Sequence, residues 1–184
     1  MRVIEGENVD LLSPFPASEV ERVVGWSHCY KTYISVDGGP STDEEFLEAY
    51  KQRLSQAISF AIVDKNGITH LPHEAPLVGL VTFDLTTPFN GYFHTVTSRR
   101  AWGRPGQPRL VDEAGKLALR TVFEDYPTLL RVSALIPERN RPAISLAHRM
   151  GLVREGVFRN FVSSEGEPRN MVHFGVLREE VFNA

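Results

Sequence analysis

Only one cysteine, Cys29, occurs in the 184 residues, so a disulfide within the chain is impossible and nothing in the cysteine content points to an oxidising compartment. An excess of positive charge is missing too. The 20 Lys and Arg are outnumbered by 23 Asp and Glu, which argues against a protein whose main task is gripping a phosphate backbone, because that task needs a globally basic face. Long apolar runs are absent. The opening MRVIEGENVD alternates charged and apolar residues without the continuous apolar core of a signal peptide, and no later segment is apolar over a membrane's thickness. These absences together predict a cytoplasmic protein. What remains is an ordinary packed composition, 42% hydrophobic and 23% charged, long enough for a full core in one domain spanning residues 1–184.

Periodicity then divides the chain. Pro16 and the apolar positions after it predict a helix over residues 16–28, with proline in the first turn where its missing N–H costs nothing. Thr42 and Glu45 stand at capping-box spacing ahead of Phe46, Leu47, Tyr50 and Leu54, predicting a second helix over 43–56. The period next changes to extended. Strands are predicted at 59–64, 77–85 and 92–97, with a turn at Asn66 and Gly67 and an irregular loop at 70–76. Leu110, Val111, Ala114, Leu117, Ala118, Thr121 and Val122 recur at helical spacing, so residues 110–123 form a helix that Pro127 ends. A buried strand at 130–136, a short helix at 142–150 capped by Gly151, and a closing hairpin of 152–162 and 171–177 around a polar loop complete the chain. That order is an α/β or α+β layered domain around a mixed sheet.

Two blocks carry chemistry. The stretch RRAWGRPGQPR, residues 99–109, follows a strand and opens the helix at 110; such a loop can turn backbone N–H groups, a helix N-terminus and arginines toward a pyrophosphate. A phosphate-bearing cofactor and a merely solvated basic loop both fit these residues. The second block is Asn140, Ala143, Leu146, Arg149, Gly151 and Leu152, continuing into Arg154, Glu155, Gly156, Val157, Phe158 and Arg159.

This second block resembles the pattern NxxAxxLxxKxGFxxEGxxR of the GNAT N-acetyltransferases, in particular the branch of ribosomal-protein N-terminal acetyltransferases (RimJ/RimL-like). The likeness runs from about Leu77 to Val181. It implies a mixed central sheet of six to seven strands flanked by about four helices, acetyl-CoA or another acyl-CoA as co-substrate, no metal, and a primary amine acceptor on a protein N-terminus or small molecule. A homodimer is left open. The family's pyrophosphate loop would fall on Arg100, Gly103, Arg104 and Gly106, with Pro105 in place of the second small residue. The backbone of Thr95, Val96 and Thr97 would pair with the pantetheine arm, and Asn140 would line the cofactor side of a gap between that strand and 130–136, unless it serves only as a helix cap.

Acyl transfer needs a base for the amine, and the titratable residues on the central strands are Asp84 and His94. The tyrosine that acts as acid in many such enzymes is replaced by Ala147, which leaves Ser145 and His148 as nearby polar groups. Cys29 beside His28 is not a nucleophile–base pair, because adjacent helical residues point in different directions. His70, His73 and Glu74 lack the further ligands a metal needs. Trp26, Tyr30, Tyr33 and Phe46 are core residues or walls of an acceptor pocket. Two other readings stay open beside the N-acyltransferase: a catalytically degenerate binding module of the same fold, and an enzyme of that fold modifying a nucleotide or nucleic acid.

Overall fold

Extended segments rich in Val, Ile, Phe and Thr pair into one sheet. The computed structural model describes residues 1–28, 39–40, 42–67, 76–103 and 106–183. Cys29, Tyr30, Tyr33, His70, His73, Glu74, Arg104, Pro105 and the side chain of His28 lie outside the described residues. Among the described residues the eight strands are β1 (Arg2–Glu5), β2 (Val9–Ser13), β3 (Ile58–Asp64), β4 (Leu77–Thr87), β5 (Asn90–Thr97), β6 (Arg131–Pro137), β7 (Val153–Ser164) and β8 (Glu167–Leu177), and they lie in the order β1-β2-β3-β4-β5-β6-β8-β7. All neighbours are antiparallel except β5 and β6, which run parallel.

The helices among the described residues are α1 (Val20–His28), α2 (Asp43–Gln56), α3 (Leu110–Asp125), α4 (Arg141–Arg149) and α5 (Arg178–Phe182). Helix α3 turns Ala114, Ala118, Leu119, Val122 and Phe123 onto one face of the sheet, where they meet Phe60, Val81, Phe83, Val132 and Phe174. Leu146 and Ala147 of α4 join the same cluster. The opposite face packs against α1 and α2 through a second cluster of Phe15, Val20, Val23, Ala61, Leu77 and Leu80, with Leu47, Tyr50 and Leu54 against it. The sheet is thus covered on both sides.

Four differences from the sequence expectation have simple causes. Eight strands form rather than six to seven, because the alternating N-terminal segment makes a hairpin of its own and joins the sheet through β2 and β3. Helix α1 begins at Val20, after a 3₁₀ turn over Ala17–Glu19, instead of at residue 16. The polar stretch expected as a loop between the last strands is mostly strand: only Glu165 and Gly166, at φ 58° and 73°, form the turn, as a two-residue hairpin of this twist requires. Finally, a short α5 follows β8.

The β5–β6 junction decides where a site can be. Pairing there consists of Asn90 with Arg131, Gly91 with Val132 and Tyr92 with Ser133, and it goes no further. Beyond it, β5 continues on β4 to Thr97, and β6 continues on β8 to Pro137. The two halves of the sheet therefore part in the middle of the molecule.

The capping box of α2 forms as its spacing predicts: Glu45 N–H donates to Thr42 Oγ1 at 3.2 Å, and Thr42 N–H donates to Glu45 Oε2 at 3.1 Å. Replacing Thr42 with Ala should cost about 1 kcal/mol, read as a lower urea midpoint with an unchanged slope.

Candidate active site

Where β5 and β6 part, a cavity of about 540 Å³ opens. On β6, Ala134 and Ile136 belong to the core shared with α3 and α4, so the alternating Leu135 and Pro137 face the α2 side. All four line the cavity, together with Phe46, Tyr50 and Arg53 from α2 and Asn140, Ala143 and Ala147 from α4. The cavity consequently runs through the sheet from one helical layer to the other.

His94 and Asp84 meet on the α2 side. Register pairs His94 with Thr82 and Asp84 with Tyr92, which makes the two side chains diagonal neighbours on one face. His94 Nε2 lies 3.0 Å from Asp84 Oδ2, and Arg53 Nη2 reaches the same oxygen at 3.2 Å from α2. Burial alone would push the Asp84 carboxyl up; the hydrogen bond from His94 and the charge of Arg53 outweigh it and hold the group below the usual carboxylate range. An ionised carboxylate only accepts, so Nε2 carries the proton, and in neutral imidazole the lone pair then sits on Nδ1. Among the described residues Nδ1 has no partner, and His94 lines the cavity.

Tyr50 is held differently. The Ser27 hydroxyl donates to Val23 O at 3.0 Å, so Tyr50 O–H donates to Ser27 Oγ at 2.9 Å, which ties α1 to α2. Burial pushes the Tyr50 hydroxyl up, and it stays neutral.

The residues expected on the cofactor side are divided. Thr95 and Val96 line the cavity, while Thr97 is buried in the last β4–β5 pair opposite Gly79. Asn140 both caps α4, accepting Ala143 N–H at 3.2 Å, and lines the cavity. Arg149 grips Asp112 with two bonds, 2.6 and 3.0 Å, fastening α4 to the start of α3.

The loop before α3 is a 3₁₀ turn, Arg99–Trp102, followed by Gly103 at φ 70°, where a Cβ would stand 2.8 Å from the Pro108 carbonyl oxygen. Glycine alone fits there. Gly106 has φ 82° as well, and Arg109 at the N-cap makes no side-chain bond to the first turn of α3. Arg100 is taken up by the buried carboxylate of Asp64 at 2.8 Å. The loop borders a groove whose other walls include Arg109, Lys116 and Arg120.

Ser145 is exposed on α4, accepts from Arg149 Nη1 at 2.8 Å and is not on the cavity wall. His148 is also exposed, its ring edge-on to Phe174. Ala147, in the place of the family's tyrosine, does line the cavity and brings no hydroxyl. Arg53 and Tyr50 escaped the reading of the sequence as site residues. Both fall on the stripe that begins at Phe46, so helical spacing marks them once the face of α2 toward the cavity is known. Among the described residues no group of three or more His, Cys, Asp or Glu is placed to hold a metal, and no helix is long and apolar enough to cross a membrane.

No protein-family model and no curated protein matches the chain by sequence. Solved structures match it closely in shape. A GNAT-family acetyltransferase from Bacillus anthracis superposes with a TM-score of 0.74 at 19% identity, covering 97% of this chain and 99% of its own. Ribosomal-protein-S5-alanine acetyltransferase from Vibrio fischeri gives 0.72 at 19% identity, over 97% and 98%. RimJ from Mycobacterium smegmatis, in complex with CoA-disulfide, gives 0.70 at 15% identity, over 94% and 83%. With an eight-stranded mixed sheet parted at its one parallel junction, the chain has the fold of the GNAT acetyltransferases.

Proposed function

We propose that the protein transfers an acyl group from an acyl-CoA, acetyl-CoA first, to a primary amine by direct attack. One observation carries this reading: a cavity through the sheet with an oriented, singly hydrogen-bonded histidine on its wall. The unpaired edge of β5 past Tyr92 offers backbone N–H and C=O groups that an amide-bearing pantetheine arm can pair with as an added strand would. Asn140 lines the same side, and the glycine turn with the uncapped start of α3 suits a pyrophosphate. Acyl-CoA binding is also supported by the RimJ neighbour, which holds a CoA disulfide.

In the proposed reaction His94 Nδ1 takes a proton from the attacking amine while Asp84 holds the ring by Nε2. The amine nitrogen bonds the acyl carbon, the carbon–sulfur bond breaks, and the thiolate takes a proton from water, since Ala147 offers none and Ser145 stands off the cavity wall; His94 then passes the amine's proton to the hydroxide left behind and is neutral again. Juxtaposing the reactants at the parting of the strands supplies much of the acceleration. A protein N-terminus and a small amine are both acceptors this reading admits. The alanine at 147 and the engagement of Arg100 by Asp64 favour a second reading, a fold that binds acyl-CoA without turnover.

Titration calorimetry with acetyl-CoA should give saturable heat; its absence with several acyl-CoAs sinks the first reading. Replacing His94 with Gln should lower kcat about 10²- to 10⁴-fold and leave the acetyl-CoA Kd unchanged. Binding without release of free thiol, over a broad amine panel, selects the second reading. Asp84 has a folded pKa below its unfolded one, so its charge stabilises the fold fully above the unfolded value, about 3.9. That stabilisation is lost as pH falls through the folded value. Wild type should therefore exceed Asp84→Asn in stability at neutral pH, with the gap closing below about pH 4, as urea unfolding at the two pH values would show.

A further inference from the structure

Asp84 has a counterpart on the same face of the sheet. Glu155 of β7 receives Arg131 Nη1 at 2.8 Å on Oε1 and Arg131 Nη2 on Oε2, and His173 Nδ1 lies 3.2 Å from Oε2. Gly175 makes the room: a Cβ there would stand 2.7 Å from Glu155 Oε1 and overlap the Arg131 guanidinium. The Arg131 charge bonded to Glu155 holds its carboxyl below the usual range. Each of these two carboxylates is thus matched by one arginine and one histidine.

Away from these ion pairs, the cavity itself is lined largely by apolar side chains. Among the described residues no carboxylate lines the cavity, and its one fixed charge is Arg53. Phe46, Leu135 and Met171 give its α2-side wall an apolar stretch beside Tyr50, Arg53 and His94. Met171 pairs with Phe158, whose ring stacks on His173 at 5.3 Å and packs beside Phe161 at 5.2 Å. Phe158 and Phe161 are 40% and 54% exposed, so an aromatic shelf continues from the cavity wall into solvent. An amine that brings a second ammonium group into this cavity would meet no carboxylate among the described lining residues, and desolvating an unpaired cation is costly.

We propose that the acceptor is a monoamine on an apolar body, and that Arg53 and Arg131 exclude polyamines by occupying Asp84 and Glu155. This rests on the acyltransferase reading. Specificity then comes from withheld counter-charge as much as from apolar contact. The shared chemistry, a primary amine next to an apolar group, is found on small amines and on polypeptide N-termini that begin with an apolar residue.

The test measures thiol release from acetyl-CoA with four acceptors: 2-phenylethylamine, an uncharged peptide amide with N-terminal Phe, putrescine and spermidine. At least one of the first two should have a kcat/KM about tenfold or more above spermidine, and which one responds identifies the source. Arg131→Gln, and separately Arg53→Gln, should narrow that ratio through a lower spermidine KM, with the acetyl-CoA Kd unchanged; two variants guard against one failing to fold. Spermidine equal to or better than both apolar acceptors overturns the proposal, as does turnover of neither while acetyl-CoA binds. If acetyl-CoA gives no binding heat, the acyltransferase reading falls, and the acceptor proposal falls with it.

Discussion

Parallel pairing between β5 and β6 stops at Tyr92 and Ser133, and each strand is held more firmly on its other side. Eight residue pairs join β5 to β4, and seven join β6 to β8, against three across the junction. Parallel pairing is the weaker kind, and sheet twist turns the two halves away from each other. The parting leaves the β6-facing edge of β5 unpaired past Tyr92, which puts hydrogen-bonding groups beside a cavity lined largely by apolar side chains. Closing the junction by even two further pairs would remove the cavity and bury His94 in an unbroken sheet.

Charge is arranged around this opening so that little of it is free. Arg53 reaches from α2 to a carboxylate on β4, which in turn orients a ring on β5, so a helix and two strands share one ionic contact. At a third or so exposed, such a contact adds little to stability. Its value lies in direction: it settles which nitrogen of His94 carries the proton. The Thr42 cap matters to the same end, because it fixes the start of the helix that carries Arg53 and Tyr50.

Features set by neighbours in sequence were legible without coordinates. The Thr42–Glu45 cap, the helical stripe from Leu110 to Val122, and the Asn140 to Gly151 block are all of this kind, and the block named the fold. Features set by register were not. Asp84 and His94 were separate candidates until β4 and β5 were aligned, since only alignment makes them diagonal neighbours. Arg53 needed the packing of α2, and the ion pair of Arg100 with Asp64, 36 positions back in the chain, has no signal in sequence spacing. The polar residues around Glu165 looked like a loop because a hairpin reaching beyond the core has no buried face to impose alternation.

A passage reaching both helical layers has a kinetic meaning under the proposed reaction. On that proposal the cofactor arm would enter from the α4 side and the acceptor from the α2 side, the two layers the cavity reaches. The spent thiol and the new amide would likewise leave by separate openings. Two routes that meet only at the parted strands would let either reactant arrive first.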